Sequence, residues 1–142
     1  MTFKHVARRI DPNLKFLCFD IQSYGLCNQL FSLACAVADG STIKIPVKFR
    51  GIYPDMISSQ CVSIETFLDI EETNKNLQPF NTKILTMEKG DRIHRANIFA
   101  LNDKQKELQQ QCLKALVFSQ HIRQFAVQCA PKESFYCVHF RL

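Results

Sequence analysis

The chain has 142 residues, 46% of them hydrophobic and 22% charged, with a formal net charge of +5. That is one domain's worth of chain with enough apolar content for a core, which excludes global disorder. The longest apolar run, Leu33 to Ala38, is far short of the ~20 residues a membrane helix needs, and no 20–50-residue repeat suggests a solenoid.

The 18 Lys and Arg face 13 Asp and Glu, and no run of five like charges occurs. The basic surplus sits at Lys44, Lys48 and Arg50, at Arg92 and Arg95, and in the C-terminal third. Glu65, Asp69, Glu71 and Glu72 form an acidic stretch. This spread lacks the dense basic stripe of a nucleic-acid binder, so no nucleic-acid partner is expected. Most of these charges read as solvated surface. The balance also suits a small phosphorylated ligand held by one or two cations.

Seven cysteines stand at positions 18, 27, 35, 61, 112, 129 and 137, none in a Cys-x-x-Cys pair. Zinc-ribbon and thioredoxin-like readings therefore fail. The N-terminus has no apolar signal core, and no Asn-x-Ser/Thr site occurs. Free thiols in a reducing, cytoplasmic compartment are the expectation. His5, His94 and His121 have no metal-ligand spacing with one another or with acids, so no metal site is predicted.

Residues 1–14 read as a polar arm closed by Asp11-Pro12-Asn13. Lys15 to Asp20 is a short apolar run expected to form a buried strand. A loop from Ile21 to Cys27 leads into Asn28 to Asp39, rich in Leu, Ala and Phe, which predicts a buried helix. Gly40 stands where a helix C-cap belongs, and Thr42 to Pro46 alternates like a second strand. Strand, helix and strand in this order make a βαβ unit, the seed of a parallel sheet. The fold class is thus α/β, with a Rossmann-like parallel sheet and flanking helices.

Lys48 to Gln60 reads as a loop, and Ser63 to Leu68 as a short helix capped by Ser63. Glu71 and Glu72 fit a solvated helix end, and Thr82 to Met87 a strand. Asn102 or Asp103 caps a predicted helix from Lys104 with Leu108, Cys112, Ala115 and Leu116 on one face. Ser119 caps another, with an apolar stripe of Ile122, Phe125, Ala126 and Cys129 that Ala130-Pro131 ends. Ser134 to Leu142 is a final strand, with His139 and Arg141 on one side. The domain expectation is an arm at 1–14, a Rossmann-like domain at 15–131 and the first strand of a second domain at 132–142.

Two places can carry chemistry. The first is the loop-to-helix junction Gly25-Leu26-Cys27-Asn28-Gln29. A helix that follows a parallel strand aims its N–H groups and dipole at the sheet's carboxyl edge, a ready anion site. Gly25 permits close backbone approach there, and Asn28 and Gln29 add side-chain donors. Equally, Asn28 fits the role of a simple helix cap. The second is His139-Phe140-Arg141. Arginine's planar fork suits a diphosphate, and histidine can hydrogen-bond a phosphate or sugar hydroxyl. The alternative is a strand that merely emerges into solvent.

Together these features resemble the GDP-fucose fucosyltransferase superfamily, especially protein O-fucosyltransferase-like enzymes. The resemblance is carried by Gly25-Leu-Cys-Asn28-Gln29, the helix to Ala38, Ile43-Lys-Ile-Pro46, Ile64-Glu-Thr-Phe67-Leu-Asp69, Leu116-Val-Phe118-Ser119 and Val138-His139-Phe-Arg141, in that order. It implies the N-terminal half of a GT-B glycosyltransferase, in which two Rossmann-like domains face each other. It further implies metal-independent, inverting transfer of fucose from GDP-fucose to a protein or glycan hydroxyl, with no separate cofactor. Arg141 would then hold the donor diphosphate, with Gly25 and His139 as donor contacts. Asn28 would lie in the cleft near donor and acceptor. Cys27 stands where the family often has Gly or Asn, and no catalytic carboxylate carries over. The chain stops one residue after Arg141, where the family's second domain would follow, so a truncated form is expected. The competing reading is an inactive N-terminal remnant that serves as a binding domain; an unrelated nucleotide-binding α/β domain is a third.

Overall fold

A computed structural model describes residues 13–19, 25–53, 60–91 and 103–134. In chain order the elements are β1 (Leu17–Phe19), α1 (Leu26–Ile43), β2 (Val47–Phe49), β3 (Gly51–Ile52), β4 (Val62–Ser63), α2 (Ile64–Phe67), α3 (Ile70–Leu77), a 3-10 turn (Gln78–Phe80), β5 (Ile84–Thr86), α4 (Asp103–Ala115) and α5 (Gln120–Cys129). β1, β2 and β5 form a parallel sheet in the order β1-β2-β5, and β3 pairs antiparallel with β4. Leu17, Val47 and Ile84 lie in one row of the parallel sheet, and Cys18, Lys48 and Leu85 in the next. This is a small α/β domain with a helix-flanked parallel sheet, Rossmann-like in the generic sense.

The predicted βαβ unit is β1-α1-β2, with its boundaries displaced: α1 begins at Leu26, two residues before Asn28. α1 runs four residues past Asp39 to Ile43, so Thr42 and Ile43 are helical and the second strand begins after Pro46. Gly40 is not the C-cap. Lys44 takes that place in the left-handed region, at φ 59°. Its N–H reaches Ser41 O at 3.3 Å, and Ile45 N–H reaches Gly40 O at 3.0 Å, the paired bonds of a Schellman ending. Gly40 has a packing role instead. A Cβ there would overlap the Val47 side chain and meet Thr82 Oγ1 at 2.8 Å and Ile45 O at 2.9 Å. Glycine at this position lets the end of the helix press onto β2.

The core lies between α1 and one face of the sheet. Leu17, Phe19, Val47, Phe49 and Ile84 pack with Leu33, Ala36 and Val37 of α1, Leu77 of α3, and Cys112 and Ala115 of α4. The predicted apolar face of α4 is confirmed at Cys112 and Ala115, which are buried, and at Leu108 and Leu116, which pack on the core. The stretch 48–60, expected to be loop, contains most of β2 and all of β3. The apolar stripe expected on α5 is not buried: that helix has no buried residue, and Phe125 is 67% exposed.

α3 is polar in sequence and is held by side-chain hydrogen bonds more than by apolar burial. Asn74 Nδ2 donates to Ile84 O at 3.0 Å, and Ile84 N–H donates to Asn74 Oδ1 at 2.8 Å. One side chain thus supplies the ladder partner that the outer edge of β5 otherwise lacks among the described residues. Thr73 Oγ1 accepts from Val117 N–H at 2.9 Å, and Asn76 Nδ2 donates to Ala115 O at 3.1 Å. Asp69 caps the helix by accepting from Glu72 N–H at 3.1 Å. Glu71 and Glu72 are exposed in its first turn, as expected of a solvated helix end.

Candidate functional site

α1 opens at the carboxyl edge of the parallel sheet, because it follows β1 and returns to the parallel neighbour β2. Gly25 is its N-cap residue, and the first helical bond runs from Gln29 N–H to Gly25 O at 3.1 Å. The N–H groups of Leu26, Cys27 and Asn28 precede that bond and have no acceptor within the helix. No acidic residue stands in the first turn, so the turn itself carries no carboxylate against the positive end of the dipole. Gly25, Leu26, Cys27 and Asn28 are all exposed. A Cβ added at Gly25 would meet nothing within 4 Å among the described residues, so no packing among them requires glycine there.

The cap reading of Asn28 is overturned: Gly25 is the cap, and Asn28 is the third helical residue, with its side chain toward solvent. Gln29 was expected to donate outward as well, but it is fully buried. Its Nε2 donates to Tyr53 O at 2.8 Å, and Tyr53 N–H donates to its Oε1 at 2.7 Å. The amide therefore acts as a two-point clasp between the first turn of α1 and the chain leaving β3. Arg50, exposed directly after β2, lies on the stretch that ends at this clasp. Sequence reasoning counted it only among surface charges; its place just past a parallel strand was the available signal. His139 and Arg141 lie outside the described residues, as does Asp20 at the end of the predicted first strand.

Two segments that carried the family resemblance meet in space. Leu68 bridges Phe118 in antiparallel fashion, Asp69 N–H reaches Val117 O at 2.8 Å, and Ser119 N–H reaches Phe67 O at 3.0 Å. The Phe67 and Phe118 rings pack edge to face with centroids 5.6 Å apart. Ser119 precedes α5 as expected, but its buried Oγ has no hydrogen-bond partner among the described residues and does not cap the helix.

Lys48, expected at the surface, is buried on the sheet face away from α1. Its Nζ donates to Asp91 Oδ2 at 3.0 Å and lies 4.0 Å from the centre of the Phe16 ring. Asp91 also accepts from Glu88 N–H at 2.7 Å. That backbone bond and then Lys48 hold the Asp91 carboxyl below the usual range, while the Asp91 bond raises Lys48. The pair ties the turn after β5 to the middle of the sheet.

The cysteines at 27, 35, 112 and 129 are free thiols. Burial pushes the Cys35 thiol up to about 12 and Cys112 to about 11, which makes both poor nucleophiles at neutral pH. Among the described residues, no group of three or more His, Cys, Asp or Glu is placed to hold a metal ion, and no helix is long and apolar enough to cross a membrane. An open groove of about 310 Å³ lined by Lys44, Pro46, Gln78, Asn81, Thr82 and Lys83 lies at the opposite end of α1 from Asn28. No protein-family model matches the chain, and neither a curated protein nor a solved structure matches it.

Proposed function

We propose that the chain is the N-terminal, Rossmann-like half of a GT-B-type glycosyltransferase that uses a nucleotide-diphosphate sugar, with GDP-fucose as the donor its motifs favour. The observation that carries this reading is the exposed first turn of α1, Gly25 to Asn28, at the carboxyl edge of a parallel sheet, a turn that itself contains no acidic residue. Such an edge is where α/β sheets bind phosphorylated ligands. The order of the Gly25-x-x-Asn28-Gln29 and His139-x-Arg141 motifs adds the sugar-nucleotide class by resemblance.

In this reading Asn28 offers an amide to the donor or acceptor, and the N–H groups ahead of the first helical bond face the diphosphate. Arg141 neutralises charge that develops on the leaving diphosphate, a cationic role that needs no metal. His139 contacts the donor, and the acceptor is a protein or glycan hydroxyl. The alternative is a binding domain that holds the same ligands without turnover.

Calorimetric titration of GDP-fucose, with and without EDTA, tests the assignment. Binding that survives EDTA and weakens on Arg141→Ala and Asn28→Ala supports it. Binding that EDTA abolishes, or that both variants retain at full strength, overturns it. Fucose transfer to a hydroxyl acceptor, measured on the same protein, separates the enzyme from the binding domain.

A further inference from the structure

A second concave site lies at the amino edge of the parallel sheet, where Pro46 and Lys83 lead into β2 and β5. It is the groove of about 310 Å³ lined by Lys44, Pro46, Gln78, Asn81, Thr82 and Lys83. Two connections form its walls, one from α1 into β2 and one from the 3-10 turn into β5. Each turns at a residue in the left-handed region, Lys44 at φ 59° and Asn81 at φ 56°. Among the described residues these are the only non-glycine residues with positive φ, and both line this groove. Asparagine tolerates that region, whereas a lysine there is strained, and strained positions cluster at ligand sites. Side chains lock the two walls together. Thr82 Oγ1 donates to Ile45 O at 2.8 Å, and Ser41 Oγ donates to Phe80 O at 2.6 Å.

The groove is built to present cations. Lys44 stands three residues before Val47, and Lys83 one before Ile84, the register partner of Val47. Both lysines are exposed, and neither ammonium has a hydrogen-bond or ion-pair partner among the described residues. The nearby carbonyls are engaged inside the fold. Gly40 O and Ser41 O accept from Ile45 and Lys44 N–H, Pro46 O and Lys83 O from Leu17 and Val47 N–H, and Gln78 O from Asn81 N–H. The lining therefore offers two ammonium groups, two side-chain amides and the apolar ring of Pro46.

We propose that this groove binds a small phosphate monoester with a hydroxylated body. Its phosphate sits between the Lys44 and Lys83 ammonium groups, each a strong point-charge donor to phosphate oxygens. The Gln78 and Asn81 amides meet the hydroxyl groups, and Pro46 meets the carbon skeleton. The volume stands at the small end of the range for ligand pockets, about 300–1,000 Å³, which suits a compact ligand. Walls fixed in advance lower the cost of ordering the site on binding. This site is at the far end of α1 from Asn28, and the inference does not depend on the proposed enzymatic activity.

The test is titration of the isotope-labelled 142-residue chain with glycerol phosphate, followed by backbone amide NMR, with glycerol and inorganic phosphate as comparisons. The expected result is saturable shifts centred on Ser41 to Lys44 and Asn81 to Lys83, with no such shifts from glycerol and weaker binding of inorganic phosphate. Lys44→Gly removes one ammonium without the left-handed strain, and Lys83→Ala removes the other from an exposed position. Each should weaken binding by about tenfold, the effect of one charge-assisted bond, while Lys83→Arg retains it. An exposed lysine outside the groove, changed in Lys106→Ala, should leave binding unaltered. No saturable shift at millimolar glycerol phosphate, shifts centred elsewhere, equal binding of glycerol or inorganic phosphate, or full binding by both lysine variants overturns the proposal. Shifts of Leu26 to Asn28 on addition of GDP-fucose report on the other site and leave this outcome separate.

Discussion

Gln29 and Tyr53 exchange two hydrogen bonds across 24 positions of sequence, 2.8 Å from the side-chain amide to the Tyr53 carbonyl and 2.7 Å from the Tyr53 N–H to the side-chain oxygen. The glutamine is wholly buried, so neither bond competes with bulk water. The first turn of α1 is thereby fixed to the end of β3. Asn28 is the next residue back along the same turn, so this clasp sets where the candidate site stands. Gln29→Ala removes both bonds to the Tyr53 backbone, an expected loss of about 2–4 kcal/mol. Chemical denaturation measures the loss, and faster exchange of the Tyr53 amide proton locates it. Gln29→Glu keeps an acceptor but, when ionised, offers no donor, so its loss should also be substantial.

The glycine content of α1 is placed by packing and not by backbone conformation. Gly40→Ala drives a methyl group into Val47 and Thr82, and overpacking of this kind costs about 1–3 kcal/mol. Lys44, by contrast, is a non-glycine residue with φ 59° at the helix end. Lys44→Gly is expected to stabilise the fold by up to about 1 kcal/mol, because glycine enters the left-handed region without a Cβ penalty. Thermal melts of the two variants should move in opposite directions.

The Lys48–Asp91 pair gives the fold an acid sensitivity. Asp91 is held below the usual carboxylate range by the Glu88 N–H and by Lys48. A lowered acid contributes stability above its unfolded value, and that contribution is lost as pH falls through the folded value. Below about pH 4 the turn after β5 is expected to loosen from the sheet. Asp91→Asn should loosen it already at neutral pH. Hydrogen exchange across Glu88 to Asp91 checks both statements.

Much of the architecture was legible wherever apolar pattern decided the structure. The run around Leu17 to Phe19, the alanine-rich helix, and Cys112 with Ala115 were all read from hydrophobic spacing. The ends of elements were less legible. Gly40 looked like a cap because glycine serves both as cap and as close-contact residue, and only the approach of Val47 separates the two. The extent of α3 beyond Glu72 was not anticipated because Thr73, Asn74 and Asn76 hold it through hydrogen bonds to distant backbone, which leave no periodic signal. At the candidate site, the junction at Gly25 was legible from its place between strand and helix. The roles of its neighbours were not: Asn28 and Gln29 are adjacent amides in sequence, yet one is exposed and the other is consumed by Tyr53. The apolar stripe of α5 misled because amphipathic spacing shows that a face can be buried, not that anything in the described fold covers it.

The central claim is that the first turn of α1 binds the diphosphate of a nucleotide sugar. Titration of GDP-fucose into isotope-labelled protein, with backbone amide shifts followed by NMR, tests it most directly. The expected result is saturable shifts centred on Leu26, Cys27 and Asn28, with weaker binding in Asn28→Ala by about tenfold, the effect of one hydrogen bond. Saturable shifts centred elsewhere in the fold, or none at millimolar ligand, would contradict it.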